Sequence, residues 1–351
     1  MERACFLATG GDHHLLIDQD GNAWGFGDNS RAQLGFEPYS SLWKMKKVPV
    51  SSVVAVYAGN YQSLLIDTDG SVWGCGDNGT CILGLQGLGN TIYSPTKVPN
   101  IPPIRTIFLG YTFSLLLDYD GQYWACGNCL ELCSGQRITP ITLAMRVQTL
   151  CMANPSWILD EEGNLWKAKS ALTKNPAENF EVCTEKKFIA ISQATFGSTH
   201  TLFLDDEQNV WSHGRNREGQ CGVGKLADRI KQMEKIPSIP KIKEIHAGKS
   251  HSALLDVDGR IWTFGMYGGL GTGRYGVEAK RPVLIPVTQK FHTILCGAHA
   301  TYGIDEEGNV WRSGSRNNIG VFEKDERFPL ITLARKTSTK SARNTAEVAD
   351  S

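Results

Sequence analysis

The chain lacks a run of apolar residues long enough to cross a bilayer as a helix, which takes about 18 in succession, so membrane insertion is not expected. Net charge is missing as well: 36 Lys and Arg balance 36 Asp and Glu over 351 residues. A protein that holds nucleic acid by neutralising phosphates carries a basic balance or a strong basic patch, so nucleic acid is not an expected partner. The start, from Met1 to Gly11, has no basic segment followed by a long apolar stretch, which argues against a secretory leader. Ten cysteines are scattered through the chain rather than set in a dense framework. That pattern suits a reducing compartment, cytoplasmic or nuclear. No nucleophile–base pair and no phosphate-binding glycine loop stands apart from the pattern described next. Ordinary hydrolytic or transfer chemistry is therefore not expected, and no cofactor is implied.

Glycine is abundant, 37 residues, and it recurs at fixed places. Seven of the nine Trp fall in register: Trp24, Trp73, Trp124, Trp166, Trp211, Trp262 and Trp311, spaced 49, 51, 42, 45, 51 and 49 residues apart. An Asp stands six residues before each of them, from Asp18 to Asp305. Gly follows that Asp by three residues in every unit except the fifth, which has Gln208. Gly also follows the Trp by three residues in every unit except the fourth, which has Lys169. Periods of this length mark propellers and solenoids.

Each column has a physical reason. The stretch Leu64 to Trp73 reads as two short strands about a tight corner: Asp67 hydrogen-bonds its own turn backbone and Gly70 supplies a positive φ. Asp-x-Asp-Gly also opens calcium loops, but the further ligands and the closing glutamate are absent. The Trp belongs on the next strand, packing between neighbouring units, where a ring of this kind covers on the order of 200 Å². A strand such as Val53 to Tyr57 precedes each corner. A Pro-punctuated segment, such as Lys46 to Val50, Thr96 to Pro99, Lys235 to Ile239 or Pro282 to Pro286, follows the Trp strand and suits an outer edge. The sequence therefore predicts an all-β fold, a seven-bladed β-propeller of four-stranded antiparallel blades over residues 1–334. The fourth blade is degenerate, with Met152 in a glycine column and no glycine soon after Trp166. The tail 335–351 has a disordered composition.

The unit Gly248-Lys249-Ser250-His251-Ser252, with Leu255-Asp256-Val257-Asp258-Gly259, Gly27-Asp28-Asn29 and Gln33-Leu34-Gly35, resembles the regulator of chromosome condensation repeat over about residues 5–334. The resemblance implies a choice of function. The family's founding member is a guanine-nucleotide exchange factor for the small GTPase Ran, docked on histones. Other members are protein-interaction modules. A monomeric, non-catalytic binding propeller is the reading preferred, with exchange on a Ran-like or other small GTPase as the alternative. The founding member inserts a wedge-like hairpin from one blade, and no interval here is lengthened to hold one.

Strand alternation puts the Gly-x-x-His turns and the Gly-Asp-Asn loops on one face and the Asp-x-Asp-Gly corners on the other. We call these the turn face and the corner face. In the family, Asp and His of the turn face build the exchange surface. The matching positions here are Asp12, His13, His200 and His251, with His299 one place off register, and Asp28 and Asp77 match the acidic loop position. A histidine after a turn glycine also commonly bonds its own loop. Tyr61, Tyr111 and Phe113 add aromatic contact area. Cys126, Cys129 and Cys133 have a spacing that can hold zinc if a fourth ligand exists, although Cys126 occupies a core position. Lys225 to Lys243 is rich in Lys and Arg and reads as a solvated loop face.

Overall fold

A computed structural model describes residues 7–18, 20–37, 42–110, 113–127, 138–143, 145–151, 157–168, 180–183, 187–193, 200–266, 270–272, 278–313, 321–326 and 328. Among the described residues there are seven antiparallel sheets, each of four consecutive strands. The blades span 7–47, 53–97, 104–141, 147–182, 188–235, 242–284 and 291–324. Blade one runs through β1 (Leu7–Thr9), β2 (His13–Ile17), β3 (Ala23–Gly27) and β4 (Leu42–Lys47), laid side by side in that order. Among the described residues, no helix is long and apolar enough to cross a membrane. The tail 335–351 lies outside the described residues.

The core lies in the seams. One cluster joins Leu15, Leu34 and Val48 of blade one to Val53, Val56 and Leu65 of blade two, with Trp73 packed on it. The next joins Leu64 and Leu83 of blade two to Ile104, Ile107 and Leu116 of blade three, with Trp124. Each repeated Trp is half-buried against the seam in front of its own blade. Its indole N–H also donates to the Asp six residues earlier, at 2.7–3.0 Å in all seven blades. The same Asp accepts backbone N–H bonds from residues two and four positions on, as Asp67 does from Asp69 and Ser71. The spacing of six is thus a corner clamp.

The glycine after that Asp faces a second demand. Gly21, Gly70, Gly163 and Gly259 all have φ near +80°, and their carbonyls accept the first N–H of the next blade, from Val53, Ile104, Phe188 and Phe291. Gln208 does the same for Ile242 and takes φ +64° itself. The exception in the column therefore keeps the geometry, with a side chain where glycine is favoured.

The fourth strands lie outermost, as expected, but end earlier than the proline spacing suggested. They are Leu42–Lys47, Thr91–Lys97 (β8), Ala227–Lys235 (β20) and Ala279–Leu284 (β24). The proline-rich residues that follow are connectors, each pinned by one bond to its blade's third strand: Val48 N to Ala23 O, Val98 N to Val72 O, Ile236 N to Val210 O and Ile285 N to Ile261 O. Pro95 and Pro282 lie within β8 and β24, where the outer side of an edge strand needs no donor.

Blade seven meets blade one through both backbone and side chains. Thr9 Oγ1 donates to the Cys296 carbonyl at 2.9 Å, Ala298 N donates to the Gly11 carbonyl at 3.2 Å, and His14 Nε2 lies 3.0 Å from the Tyr302 hydroxyl. A shared cluster of Leu7, Leu16, Phe26, Tyr302, Ile304 and Phe328 backs these bonds.

Candidate binding face

The turn face is built on a repeated contact. After the third strand, the N–H following a glycine donates to the carbonyl at the tip of the blade's first turn: Asp28 to Asp12, Asp77 to Tyr61 and Met266 to Ser250. The glycines are Gly27, Gly76 and Gly265, with φ of +101°, +102° and +104°. A Cβ at any of them would collide with that same carbonyl oxygen. The tips Asp12, Tyr61 and Ser250 are therefore held by backbone on both sides. Asn at the next position ties the following loop: Asn29 Oδ1 accepts from Leu34 N at 2.9 Å and Asn216 Oδ1 from Cys221 N at 2.9 Å.

The repeated histidine column does not reach the surface, which corrects its assignment as partner-facing. His13, His200 and His251 are fully buried. His13 Nε2 lies 3.0 Å from Ser63 Oγ of the next blade. The Ser63 hydroxyl donates to the Gln33 carbonyl at 2.6 Å, so its one proton is committed and the imidazole must donate, in its neutral Nε2–H form. His200, Ser252 and the Gln220 carbonyl repeat the arrangement at 2.9 and 2.9 Å. His13 and His200 are latches across the seam, neither surface groups nor bonds to their own loop, whereas His251 is buried with neither ring nitrogen hydrogen-bonded. The His-(Ser/Thr) pair in the motif carried the signal, because the Ser receives the previous blade's His. Burial pushes the imidazole pKa down to about 4 in His13, against the pull of Asp28. In His200 burial and then His251 push it to about 3, and in His251 burial and then His299 push it to about 4.

Phe113 is also buried, in the cluster of blades three and four with Leu115 and Ile158, which withdraws it as a surface anchor. Tyr111 lies outside the described residues. Asp28 is half-buried and spent on its loop, accepting from Ser30 N, Ser30 Oγ and Gln33 Nε2. Asp77 is half-buried and accepts from Gly79 N. Exposed on the face are Asp12, His299 and Tyr61, the last 40% accessible. His299, one place off the histidine column, is level with the tips Asp12 and Tyr61. Partial desolvation lowers its pKa, Asp12 opposes the shift and Lys249 adds to it, so these three side chains share one patch. Tyr61 sits on the neighbouring turn, because Gly11 N donates to Gly59 O across the seam.

Cys126 is core: its thiol donates to the Ile82 carbonyl at 3.2 Å, and burial pushes its pKa up to about 12. A thiol held protonated is the wrong form for a metal ligand. Cys129 and Cys133 lie outside the described residues, and among the described residues no group of three His, Cys, Asp or Glu is placed to hold a metal. Nine residues of the basic stretch form the edge strand β20 rather than a loop, with Arg217–Asp228 and Lys225–Glu234 ion pairs at 2.9 Å each.

The model of the regulator of chromosome condensation (RCC1) repeat matches residues 69–117 and 207–255. Each match starts at a corner of one blade and ends in the second strand of the next, so the sequence repeat encloses a seam. Protein RCC1 of Candida albicans is 24% identical over 292 residues, 74% of this chain and 58% of the relative. The guanine nucleotide exchange factor SRM1 of Saccharomyces cerevisiae is 25% identical over 300 residues, 74% of this chain and 55% of the relative. The chain thus spans less than two thirds of the length of either. Among solved structures, that of Prp20p from Saccharomyces cerevisiae, described with its binding to Gsp1p and histones, superposes with a TM-score of 0.67 at 19% identity, covering 92% of this chain and 83% of that one.

Proposed function

We propose that this chain, which belongs to the regulator of chromosome condensation repeat family, is a protein-recognition propeller that binds its partner through the turn face and makes or breaks no bond itself. The observation that carries this reading is the contrast on that face. The histidines are locked in the seams, while Asp12, Tyr61 and His299 stand exposed on turns whose backbone is held from both sides. Rigid tips bearing an aromatic ring and charge are what a binding surface needs. Near Tyr61 the face is acidic, with Asp12, Asp28 and Asp77. Near His299 it carries Lys249. A basic surface facing blades one and two is the complementary partner.

A second reading is nucleotide exchange on a small GTPase. It rests on the exposed carboxylate of Asp12 and on relatives such as SRM1, named as an exchange factor, and Prp20p, described as binding Gsp1p. A carboxylate pressed toward the nucleotide's Mg²⁺ and phosphates would weaken their hold through charge, without covalent chemistry.

One set of assays separates the two. Pull-down with wild type, Tyr61→Ala and Asp12→Asn tests recognition: a partner retained by wild type and weakened about 10-fold or more by Tyr61→Ala supports it. Unchanged retention by both variants contradicts the face assignment. Release of fluorescent GDP from a panel of small GTPases tests exchange: acceleration by wild type and slowing by Asp12→Asn supports it, and no acceleration at micromolar propeller rejects it.

A further inference from the structure

The degenerate fourth blade differs from the others in a chemically specific way. In blades one and two the second and third strands pair Leu15 with Gly25 and Leu64 with Gly74. The missing side chain at that glycine makes room for the leucine of the Gln-Leu-Gly or equivalent turn: a Cβ on Gly25 would meet Leu34 and one on Gly74 would meet Leu83. Those leucines plug the seams to the next blade. Blade four pairs Trp157 with Lys167 at the same register, and no Gln-Leu-Gly follows Trp166 in the sequence. Between blades four and five there is a cavity of about 370 Å³, walled by Trp157, Phe188, Trp211, His213, Lys167 and Lys231.

The walls have a consistent chemistry. Three aromatic rings face the space, and Lys167 Nζ is 5.8 Å from the centre of the Trp157 ring. Trp157 is 3% exposed, and its indole N–H is buried without a hydrogen-bond partner, an unusual cost for a native interior. His213 meets Trp157 edge to face at 5.6 Å. Burial, then Arg229 and Lys167, push its pKa to about 4, so it is neutral near pH 7 in a field of positive charge. Of the acidic groups, Asp228 pairs with Arg217 and Glu218 with Arg215, while Glu181, exposed on the outer strand, lies opposite Lys167 in the ladder.

We propose that this seam binds a small planar aromatic anion, its ring among Trp157, Phe188 and Trp211 and its charge on Lys167 and Lys231. The volume lies at the low end of ligand clefts, about 300–1,000 Å³, which suits one or two fused rings. The proposal is independent of the turn face.

The test is isothermal titration of the full chain with 1-naphthoate and with neutral 1-naphthalenemethanol. Expected are saturable 1:1 binding of naphthoate, at least about 10-fold tighter than the alcohol, and a loss of about 10-fold with Lys167→Gln, in keeping with a charge-assisted hydrogen bond. Trp157→Leu, which installs the residue that blades one and two carry, weakens binding further. Lys167 is half-exposed, so Lys167→Gln keeps the test valid if Trp157→Leu fails to fold. No saturation up to low millimolar naphthoate overturns the proposal, as does equal binding of the alcohol or unchanged binding by Lys167→Gln. A short acidic peptide with one Trp that binds 10-fold more tightly than naphthoate would also overturn it, by assigning the seam to a peptide.

Discussion

Lowering the pH from 7 to 5 should destabilise this propeller through its buried histidines, before its carboxylates respond. An unfolded histidine titrates near 6.5, whereas folded His13 and His251 do so at about 4 and His200 at about 3. Between the two values the unfolded chain takes up a proton that the folded chain refuses. Stability is therefore fully present above the unfolded value and falls as the pH drops toward the folded one. Over that interval each histidine accounts for about 2 kcal/mol, and the three together for roughly 4–6 kcal/mol once the His200–His251 repulsion is discounted. Domains of this kind have about 5–15 kcal/mol in total, so much of the margin goes. The corner carboxylates act in a different window. Burial opposes their ionisation, but hydrogen bonds from the paired Trp and the turn hold Asp18, Asp160, Asp256 and Asp305 below the usual value of 3.8. Their contribution is lost only as the pH falls below about 4. Urea unfolding followed by tryptophan fluorescence at pH 7.5, 6.5, 5.5 and 5.0 reads the effect. His13→Gln, which installs the residue that blade two carries as Gln62 at the same register, should reduce the pH dependence by about a third. A midpoint that stays constant from pH 7.5 to 5.0 refutes the latch.

Further outcomes follow from the same geometry. Gln208→Gly should raise stability by up to about 1 kcal/mol in urea unfolding, because φ +64° suits glycine. Asp67→Ala should lower it by about 2–3 kcal/mol by stranding Trp73 Nε1 and the Asp69 and Ser71 amides, with Trp73→Phe as the milder control. In the folded protein Cys183, which is exposed, should react with a thiol reagent while Cys75, Cys126 and Cys221 do not, since burial pushes those three pKa values up to about 12.

The ring was legible in the sequence because its devices are local. A corner needs Asp and Gly at fixed spacing, and a third-strand glycine must admit a carbonyl. The site was less legible because surface and seam use the same motif. His13 and Asp12 are adjacent in the chain, yet one is locked behind the turn and the other stands on it. Only the partner serine, some 50 residues away, tells them apart. Phe113 occupies the column of His13 and Gln62 and so is buried with them. The Trp–Asp clamp was half legible: the spacing of six was visible, the indole bond was not. The cavity beside Trp157 was not legible, because its walls come from two blades.

The claim that the turn face is the recognition surface is tested most directly by photocrosslinking. A benzophenone side chain at position 61 probes the turn face, and one at position 257 probes the corner face; Tyr61 is 40% and Val257 49% exposed. The account predicts a discrete adduct with a protein partner from position 61 and none from position 257. Equal adducts from both, or an adduct from position 257 alone, would contradict it.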